Sequence, residues 1–340
     1  MGIIFIGAGL GSVKHLTKES MEAIDLCSRV LVDTYTGYID EGLIKFLKEW
    51  KGFDVEVADR KMLEDNVSEV MEEARDMDLG IVVPGDPFIA TTHQAIRAEA
   101  KRRGLDVRVV HGVSITSAAV SASGLHVYKF GRPATLPKTD DSEQLRQPYL
   151  TILENMALNL HTLLLLDTAG GGLTIAEAVH ELESIEDVFK RGVVESDLLA
   201  IGLARVGLEE EKVLAGRIGD IANASYPPPP HCLVIPSELH FTEKESVKSY
   251  AIESEFVERY SPPNSLGQRV WKYADKCRRI LGQLGGAGLE KSYLEMVGTY
   301  VEDSLHFLTA RDIINSLLAI GYAEGLLDAL RIRGEADFQW

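Results

Sequence analysis

The sequence predicts two α/β domains followed by an all-α bundle at the C-terminus. Up to about residue 245, short apolar runs alternate with amphipathic segments, which is typical of strands alternating with helices. A segment rich in Pro, Thr, Asp and Gln at residues 131–148 interrupts this alternation. Beyond about residue 250, apolar residues recur only at helical spacing. We therefore expect α/β domains at residues 1–120 and 121–248, and a helical bundle at residues 249–340.

The N-terminal elements follow a strand, loop and helix order. Residues 2–7, Gly-Ile-Ile-Phe-Ile-Gly, are apolar and end in glycine, which suits a buried parallel strand. Thr17 can cap the helix that follows, and a second strand ends at Asp33. The same pattern predicts a strand at 79–83, a helix at about 92–103 and a strand at about 107–110. This order of elements predicts a mostly parallel sheet.

The later elements repeat the same rhythm. Apolar runs predict strands at 163–166, 198–203 and 232–236, and Thr174 begins a helix after the first of them. The helical spacing after residue 250 is carried by Val270, Tyr273, Ala274 and Cys277, then Tyr300, Ser304, Phe307 and Leu308, and finally Ile313, Leu317, Ile320 and Leu327.

Composition and charge disfavour nucleic acid as a direct partner. The chain has 340 residues, of which 45% are hydrophobic, so it can bury a sizeable core. Its 52 acidic and 35 basic residues give a formal net charge of −17, which repels phosphate backbones. The short basic run at residues 101–103 is typical of a solvated helix end. A protein or small-molecule partner is therefore expected.

The cysteines and the N-terminus predict a cytoplasmic protein. Cys27, Cys232 and Cys277 are far apart and form no Cys-x-x-Cys pair, so we expect small buried side chains without a zinc site or a disulfide framework. The N-terminus lacks the pattern of a secretory leader. We also expect no apolar stretch as long as a membrane span.

The first candidate ligand motif is Gly-Ala-Gly-Leu-Gly at residues 7–11, directly after the first strand. Glycine at such a position lets the backbone turn tightly or approach a ligand. A dinucleotide-binding loop would place its third glycine three positions after the second and begin its helix within the glycines. Here the third glycine follows after two positions and the helix cap comes at Thr17. A dinucleotide is therefore disfavoured, and a plain tight turn remains an alternative to a different ligand loop.

The second candidate motif is Pro-Gly-Asp-Pro-Phe-Ile-Ala-Thr-Thr-His at residues 84–93. It follows a buried strand, at the carboxyl end where α/β proteins bind ligands. Asp86 is placed to accept hydrogen bonds from a ligand hydroxyl or amine. An aspartate of this kind can also be a turn or helix-cap residue, but the full string favours a ligand loop.

These two motifs resemble those of the tetrapyrrole methylase superfamily, whose members have two α/β domains and bind S-adenosylmethionine in the cleft between them. Within it the chain most resembles the diphthine synthases, over residues 1 to about 245. The matching strings are Asp33-Thr34-Tyr35-Thr36, Gly85-Asp86-Pro87-Phe88, Ala90–His93, Ser114-Ile115, Gly124–Gly131, Leu160–Leu163, Leu166-Asp167, Gly202–Gly207, His231–Pro236 and Leu239-His240-Phe241.

The resemblance implies a reaction, a cofactor and a protein substrate. Diphthine synthases use S-adenosylmethionine, which becomes S-adenosylhomocysteine, to methylate an amine in diphthamide biosynthesis. The amine belongs to a 3-amino-3-carboxypropyl chain on a histidine of elongation factor 2, and archaeal members add three methyl groups. Family members are typically homodimers. By resemblance, the residues lining the S-adenosylmethionine pocket would be Leu10, Asp86, Ile89, Ser114, Ile115, Leu166, Leu203, Ala204 and His231.

Methyl transfer from a sulfonium is an in-line displacement, accelerated mainly by holding the acceptor nitrogen in line with the methyl carbon and the leaving sulfur. Leu10, Ile89 and Leu166 would provide apolar walls, and Asp86 and Ser114 would provide polar anchors. The amine must be neutral to attack, which a desolvated site favours by lowering its pKa. No catalytic residue is assigned. The candidate bases by chemistry alone, each more often structural, are His93, His126, His161 and His240.

Two alternative functions remain open at this point. A corrin-precursor methylase would share the fold, but that branch generally carries an aromatic-Gly-x-Gly string where this chain has Ala90–His93. A non-catalytic protein could keep the fold and bind S-adenosylmethionine without turnover. The chain departs from the diphthine synthase pattern at Gly37, at 137–148 and at 168–174. These departures affect the expected binding of the protein substrate and not the strings that would hold the cofactor.

The C-terminal region resembles an archaeal helical domain of unknown function that usually occurs as a small separate protein. The resemblance rests on residues 300–308, Asp312 and residues 319–328. Helix capping and surface charge are the favoured explanation of its acidic residues, and no metal site is assigned. The residues that could otherwise suggest a metal site are Asp303, His306, Asp312, Glu324 and Asp328.

Overall fold

A computed structural model describes residues 1–263, 266–285, 289–310 and 312–340. The first domain alternates strands with helices from its first residues. In chain order it contains β1 (Gly2–Gly7), α1 (Lys18–Leu26), β2 (Arg29–Asp33), α2 (Glu41–Lys51), β3 (Val55–Ala58), α3 (Val67–Asp76), β4 (Asp78–Val83), α4 (Gln94–Arg102) and β5 (Asp106–Val110).

The first sheet is parallel throughout, with the strand order β3-β2-β4-β1-β5. Helices α1 and α2 pack on one face and α3 and α4 on the other. β1 is therefore buried along its whole length, which is why its sequence is continuously apolar rather than alternating. The predicted parallel sheet is confirmed. Thr17 is the N-cap of α1, as predicted, since its Oγ1 accepts from Ser20 N at 2.9 Å.

The second domain opens with a helix and has a second sheet of five strands. In chain order it contains α5 (Ile115–Ala122), β6 (Ala134–Leu136), α6 (Ser142–Ala157), β7 (Thr162–Leu166), α7 (Ile175–Phe189), β8 (Leu199–Ala204), β9 (Lys212–Arg217), α8 (Ile218–Asn223), β10 (His231–Ile235), α9 (Phe241–Lys248) and α10 (Ser254–Arg259).

The pairing of the second sheet differs from that of the first. Its order is β6-β7-β10-β8-β9, and only β6 and β7 run parallel. The strand–helix rhythm of the sequence therefore does not lead to parallel pairing here. The short connection from β8 to β9 suffices for an antiparallel pair, whereas neighbouring parallel strands need a longer crossover.

Packing assigns two segments beyond the boundaries expected from the sequence. Residue 120 falls inside α5, and Ala119 of that helix packs in the second domain's apolar cluster with Leu163. After residue 248, Val257 and Tyr260 still belong to the same cluster. The apolar cluster of the second domain therefore extends past both of the expected boundaries.

The predicted helical bundle consists of α11 (Leu266–Leu284), α12 (Lys291–Thr309) and α13 (Ile313–Ile332). Its core includes Cys277, Val297 and Leu327, one from each helix. Within the described ranges, no group of three His, Cys, Asp or Glu side chains could hold a metal ion. Asp312 caps α13 by accepting from Asn315 N at 3.2 Å.

Two expectations about buried and apolar segments have different outcomes. Cys27, Cys232 and Cys277 are buried free thiols, as predicted. The expectation that no stretch is long and apolar enough to span a membrane is wrong for α13, in which an 18-residue window has a mean hydropathy of 1.4. By length and composition this helix meets the criterion, as core helices of soluble proteins also do; 33% of that window is buried inside the fold.

Candidate functional site

The candidate site lies where three neighbouring strands of the first sheet end. β1 lies between β4 and β5 in the sheet, and the chain crosses from one side of β1 to the other between these two strands. The carboxyl end of the sheet at such a crossing is where open α/β sheets bind ligands. The loops after β1 and β4 are joined by two hydrogen bonds. Gly85 N donates to Gly9 O at 2.7 Å, and Gly9 N donates to Gly85 O at 3.2 Å. This edge is therefore a fixed backbone surface.

Glycine is required where these loops touch each other. A Cβ on Gly112 would lie 2.3 Å from Gly85 O, and a Cβ on Gly7 would lie 2.4 Å from Gly112 N. Both contacts are with backbone atoms, which cannot rotate away as a flexible side chain can. The close approach also accounts for the glycine that ends the first strand in the sequence.

A cavity lies between this edge and the second sheet. It encloses about 1110 Å³ outside the protein atoms, with open solvent at its mouth included. Loops after β1, β2 and β4 form one side, and the ends of β7, β8 and β10 that face them form the other. The volume and the mixed apolar and polar wall are typical of a small-molecule site between two domains.

The cavity gathers most of the residues that the sequence places at the cofactor site. The residues in its wall are Leu10, Ile89, Ser114, Ile115, Leu166, Leu203 and His231.

Asp86 and Ala204 lie outside that wall. The Asp86 carboxylate is buried behind it, with Oδ2 2.7 Å from His111 Nδ1 and Oδ1 accepting from Phe88 N at 3.2 Å. Asp86 thus fixes the loop that carries Ile89. Ala204 is fully buried on β8, where it pairs with the first residue of β10.

His231 is held in one orientation at the start of β10. Its Nε2 donates to Pro227 O at 2.7 Å, and its Nδ1 accepts from Ile175 N at 3.2 Å. Burial lowers the pKa of His231, so the imidazole is neutral at neutral pH. Because both nitrogens are engaged, His231 forms a fixed part of the wall rather than a proton acceptor.

A contact between the domains fixes the width of the cleft. Arg205, after β8, donates from Nη2 to Tyr38 Oη at 2.6 Å, and its guanidinium carbon lies 5.0 Å from the centre of the Tyr38 ring. Tyr38 lines the cavity. Lys14 and Glu209 also pair across the domains at 2.7 Å, but both are well exposed and contribute little.

Two polar residues of the wall were not assigned to the site from the sequence. Thr36 follows β2 and donates from Oγ1 to Oδ2 of Asp33, a carboxylate with no exposed surface. Asp167 follows β7, and its Oδ1 accepts from Ala169 N at 2.9 Å. Both lie within three residues of the end of an apolar strand, and this position is the signal that could have found them.

Two of the three departures from the family pattern reach the cavity wall, whereas no residue of 137–148 is part of it. Gly37 is part of the wall, and a Cβ there would lie 3.0 Å from Pro84 Cβ, so the loop after β2 packs closely on the loop after β4. Thr168 is also in the wall and begins the glycine-rich segment. These residues shape the mouth that a substrate must enter.

Three of the four candidate bases lie around the buried carboxylate of Glu243, outside the cavity wall. Glu243 accepts from Lys129 Nζ at 2.6 Å, from His161 Nε2 at 3.1 Å, and from the backbone N–H groups of His126 and His240 at 2.8 Å each. Burial by itself would raise the pKa of Glu243, but these hydrogen bonds hold it well below its usual range. The ring of His161 is buried with both nitrogens hydrogen-bonded, whereas the rings of His126 and His240 are exposed.

The fourth candidate, His93, lies behind the first-domain side of the cavity and has no exposed surface. Neither of its ring nitrogens has a hydrogen-bond partner.

Comparison with known proteins identifies the class first. The profile of the family described as Tetrapyrrole (Corrin/Porphyrin) Methylases matches residues 2–222, which cover the first domain and most of the second. The fold and the cavity between two α/β domains therefore define a tetrapyrrole methylase. A second profile, of a protein of unknown function (DUF357), matches residues 283–335 in the bundle.

Individual relatives narrow the class. The diphthine synthase of Staphylothermus marinus is 42% identical over 254 residues, covering 72% of this chain and 92% of that protein. The diphthine synthase of Archaeoglobus fulgidus is 34% identical over 258 residues, covering 76% and 98%. The chain belongs to the diphthine synthase family, which makes it an S-adenosylmethionine-dependent methyltransferase.

Solved structures agree with this assignment. A crystal structure of diphthine synthase superposes with a TM-score of 0.68 at 33% identity, covering 76% of this chain and 99% of that one. A putative diphthine synthase from Entamoeba histolytica superposes with a TM-score of 0.66 at 26% identity, covering 74% and 100%.

Proposed function

We propose that this protein methylates the amino group of the 3-amino-3-carboxypropyl chain on a histidine of elongation factor 2, giving diphthine. The observation that carries the proposal is the cavity between the two domains, at the sheet edge where the fold binds ligands. The 42% identity to a diphthine synthase extends over both domains that form it. Membership of this methyltransferase family excludes a protein that only binds S-adenosylmethionine, and a corrin precursor is the alternative substrate.

The wall of the cavity fits S-adenosylmethionine. Its apolar side chains suit the nucleoside and the methylene groups, and hydroxyl and carboxylate groups lie among them at Ser114, Thr36 and Asp167. S-adenosylmethionine supplies a methyl group that its own sulfonium activates. The residues proposed to contact it are Leu10, Ile89, Ser114, Ile115, Leu166, Leu203 and His231, with Asp86 and Ala204 supporting them from behind.

The protein's own contribution is to hold the acceptor and to exclude water. Orientation of this kind supplies about 7–11 kcal/mol in well-aligned reactions. Two features keep the cavity rigid, namely the hydrogen-bonded loops at Gly9 and Gly85 and the Arg205–Tyr38 contact across the cleft. Both set the distance between the walls.

The proposal also includes a homodimer in the cytoplasm, with elongation factor 2 as a transient protein partner. The net charge of −17 supports a protein partner over free nucleic acid. Light scattering after size-exclusion chromatography tests the dimer, since a monomer at micromolar concentration would contradict it.

The activity is tested with labelled S-adenosylmethionine and archaeal elongation factor 2 that carries the unmethylated side chain, with mass spectrometry counting the methyl groups. Ile89→Arg places a charge in the apolar wall, and we expect it to reduce transfer about 100-fold. Leu158→Arg is the matched control because Leu158 is 66% exposed and outside the cavity.

The outcomes separate the alternatives. Treatment of the labelled product with mild base distinguishes two products: an N-methyl group keeps its label, whereas a methyl ester is hydrolysed and releases it. The ester is considered because an Arabidopsis thaliana relative that is 31% identical carries the name probable diphthine methyl ester synthase. If S-adenosylmethionine binds but no label reaches elongation factor 2, the substrate assignment is refuted. Corrin precursors would then be assayed next.

A further inference from the structure

His93 is a fully buried imidazole that the proposed mechanism does not yet use. It immediately precedes α4, and neither ring nitrogen has a hydrogen-bond partner. Its ring stacks on Tyr35 with centroids 6.2 Å apart and meets the edge of Phe5 at 6.4 Å. Leaving a buried N–H unpaired costs about 1–3 kcal/mol, so an arrangement of this kind needs an explanation beyond packing.

A carboxylate connects His93 to the cavity. His93 Nε2 lies 3.4 Å from Oδ2 of Asp33, which also has no exposed surface. The same Oδ2 accepts from Thr36 Oγ1, while Oδ1 accepts from Tyr35 N at 2.8 Å and Thr36 N at 3.1 Å. Because Thr36 is part of the cavity wall, these side chains form a line from the cavity to His93.

Burial and the neighbouring charges act on the pKa of His93 in opposite directions. Burial lowers the pKa of His93, and the negative charges of Asp33 and Glu64 oppose that effect. Glu64 is itself paired with Arg60 at 2.7 Å, and burial raises the pKa of Tyr35 to about 12. At neutral pH the imidazole is therefore neutral beside a carboxylate that would stabilise its protonated form.

We propose that Thr36, Asp33 and His93 remove the proton that the acceptor amine must lose. This inference rests on the proposed N-methylation. An α-amino group has an ordinary pKa of about 8 and is mostly ammonium at neutral pH, so each methyl added requires one proton to leave.

The transfer is written as a relay of one proton. An ammonium N–H donates its proton to Thr36 Oγ1, and the hydroxyl proton of Thr36 moves to Asp33 Oδ2. That proton passes to the lone pair of His93 Nε2, which leaves an imidazolium beside the Asp33 carboxylate. The lone pair freed on the amine forms the N–C bond as the methyl group leaves sulfur. The imidazolium then returns the proton through Asp33 to Thr36 at the cavity wall, where solvent receives it before the next transfer. Thr36 touches the substrate, whereas Asp33 and His93 act through it as positioning residues.

The relay is tested by the pH dependence of single-turnover methyl transfer. His93→Phe keeps an aromatic ring between Tyr35 and Phe5 but removes both nitrogens. We expect its rate at pH 7 to fall about tenfold, because about one tenth of an amine with a pKa of about 8 is neutral there, and to recover toward wild type as the pH rises to that pKa. The affinity for S-adenosylmethionine, measured by calorimetry, is expected to stay within about threefold of wild type. A rate lowered by the same factor at every pH would be a structural effect and would overturn the relay.

Thr36 provides a second test at the cavity wall, which serves if His93→Phe does not fold. Thr36→Val removes the hydroxyl at constant shape and should reproduce the pH-dependent loss, while Thr36→Ser should restore the wild-type profile. Thr36→Val with an unchanged profile contradicts the relay alone, provided that wild type transfers methyl groups. Wild type that transfers none at any pH overturns the proposed function instead. A base-labile ester product also overturns the relay, because a carboxylate acceptor has no proton to lose.

Discussion

The contact between the loops after β1, β4 and β5 makes Gly112 a sensitive position of the methyltransferase. In Gly112→Ala the new Cβ would lie 2.3 Å from Gly85 O and 2.9 Å from Gly7 Cα. Ordinary contacts of a Cβ begin at 3.4 Å, so the loops must separate by about 1 Å. Both partners are backbone atoms held by neighbouring strands, and no side chain can relieve the contact.

The magnitude follows from that separation. A misplacement of about 1 Å can reduce a reaction rate about 100-fold, which corresponds to about 2.7 kcal/mol of the barrier. We therefore expect Gly112→Ala to lower kcat/KM for methyl transfer about 100-fold and to weaken S-adenosylmethionine binding in calorimetry, with the helical content unchanged.

Gly219→Ala is the matched control. Gly219 lies in α8, and a Cβ there would meet nothing within 4 Å. Alanine in a helix is favoured over glycine by up to about 1 kcal/mol, so this variant should keep full activity. If Gly112→Ala retains kcat/KM within about threefold of wild type, the site does not depend on the close packing of these loops.

Three further outcomes are expected. Glu243→Gln should lower the free energy of unfolding in urea by about 3 kcal/mol. Because the pKa of Glu243 is depressed in the folded state, its contribution to the free energy of unfolding is present above its unfolded pKa of about 4.3 and is lost as the pH falls through the folded value. Equal acid sensitivity of the variant and wild type would contradict this. Arg205→Ala should raise the Kd for S-adenosylmethionine about tenfold through loss of the Tyr38 contact, and an unchanged Kd would show that this contact does not set the cleft. Leu327→Ala should destabilise the bundle by about 2–5 kcal/mol while methyl transfer persists, and a parallel loss of transfer would indicate that the bundle supports the site.

Strands buried on both faces were the easiest elements to predict. β1 and β4 pair within the first sheet and have helices on both sides, so their sequences are continuously apolar. β3, β6 and β9 were missed because much of each is exposed or only partly buried, and a weak apolar pattern does not separate a short strand from a loop. Helix α13 was recognised as helical, but its length and hydropathy were underestimated.

The candidate site was predicted where the sequence strings lie at strand ends. Leu10, Ile89 and Leu166 are in the cavity wall because each closely follows, or ends, a strand that points at the cleft. Asp86 was expected as a polar anchor of the wall, but its carboxylate is turned toward His111. A loop sequence does not determine in which direction a carboxylate points, because that depends on residues from another strand.

The sequence by itself determined the order of strands and helices, the family and the loops that form the site. These follow from local apolar periodicity and from short strings whose residues are neighbours in the chain. Only the tertiary structure decided the antiparallel pairing of the second sheet, the packing of α5 with the second domain and the line from Thr36 through Asp33 to His93. The physical reason is that burial and hydrogen bonding between residues distant in sequence arise only when the sheets are assembled.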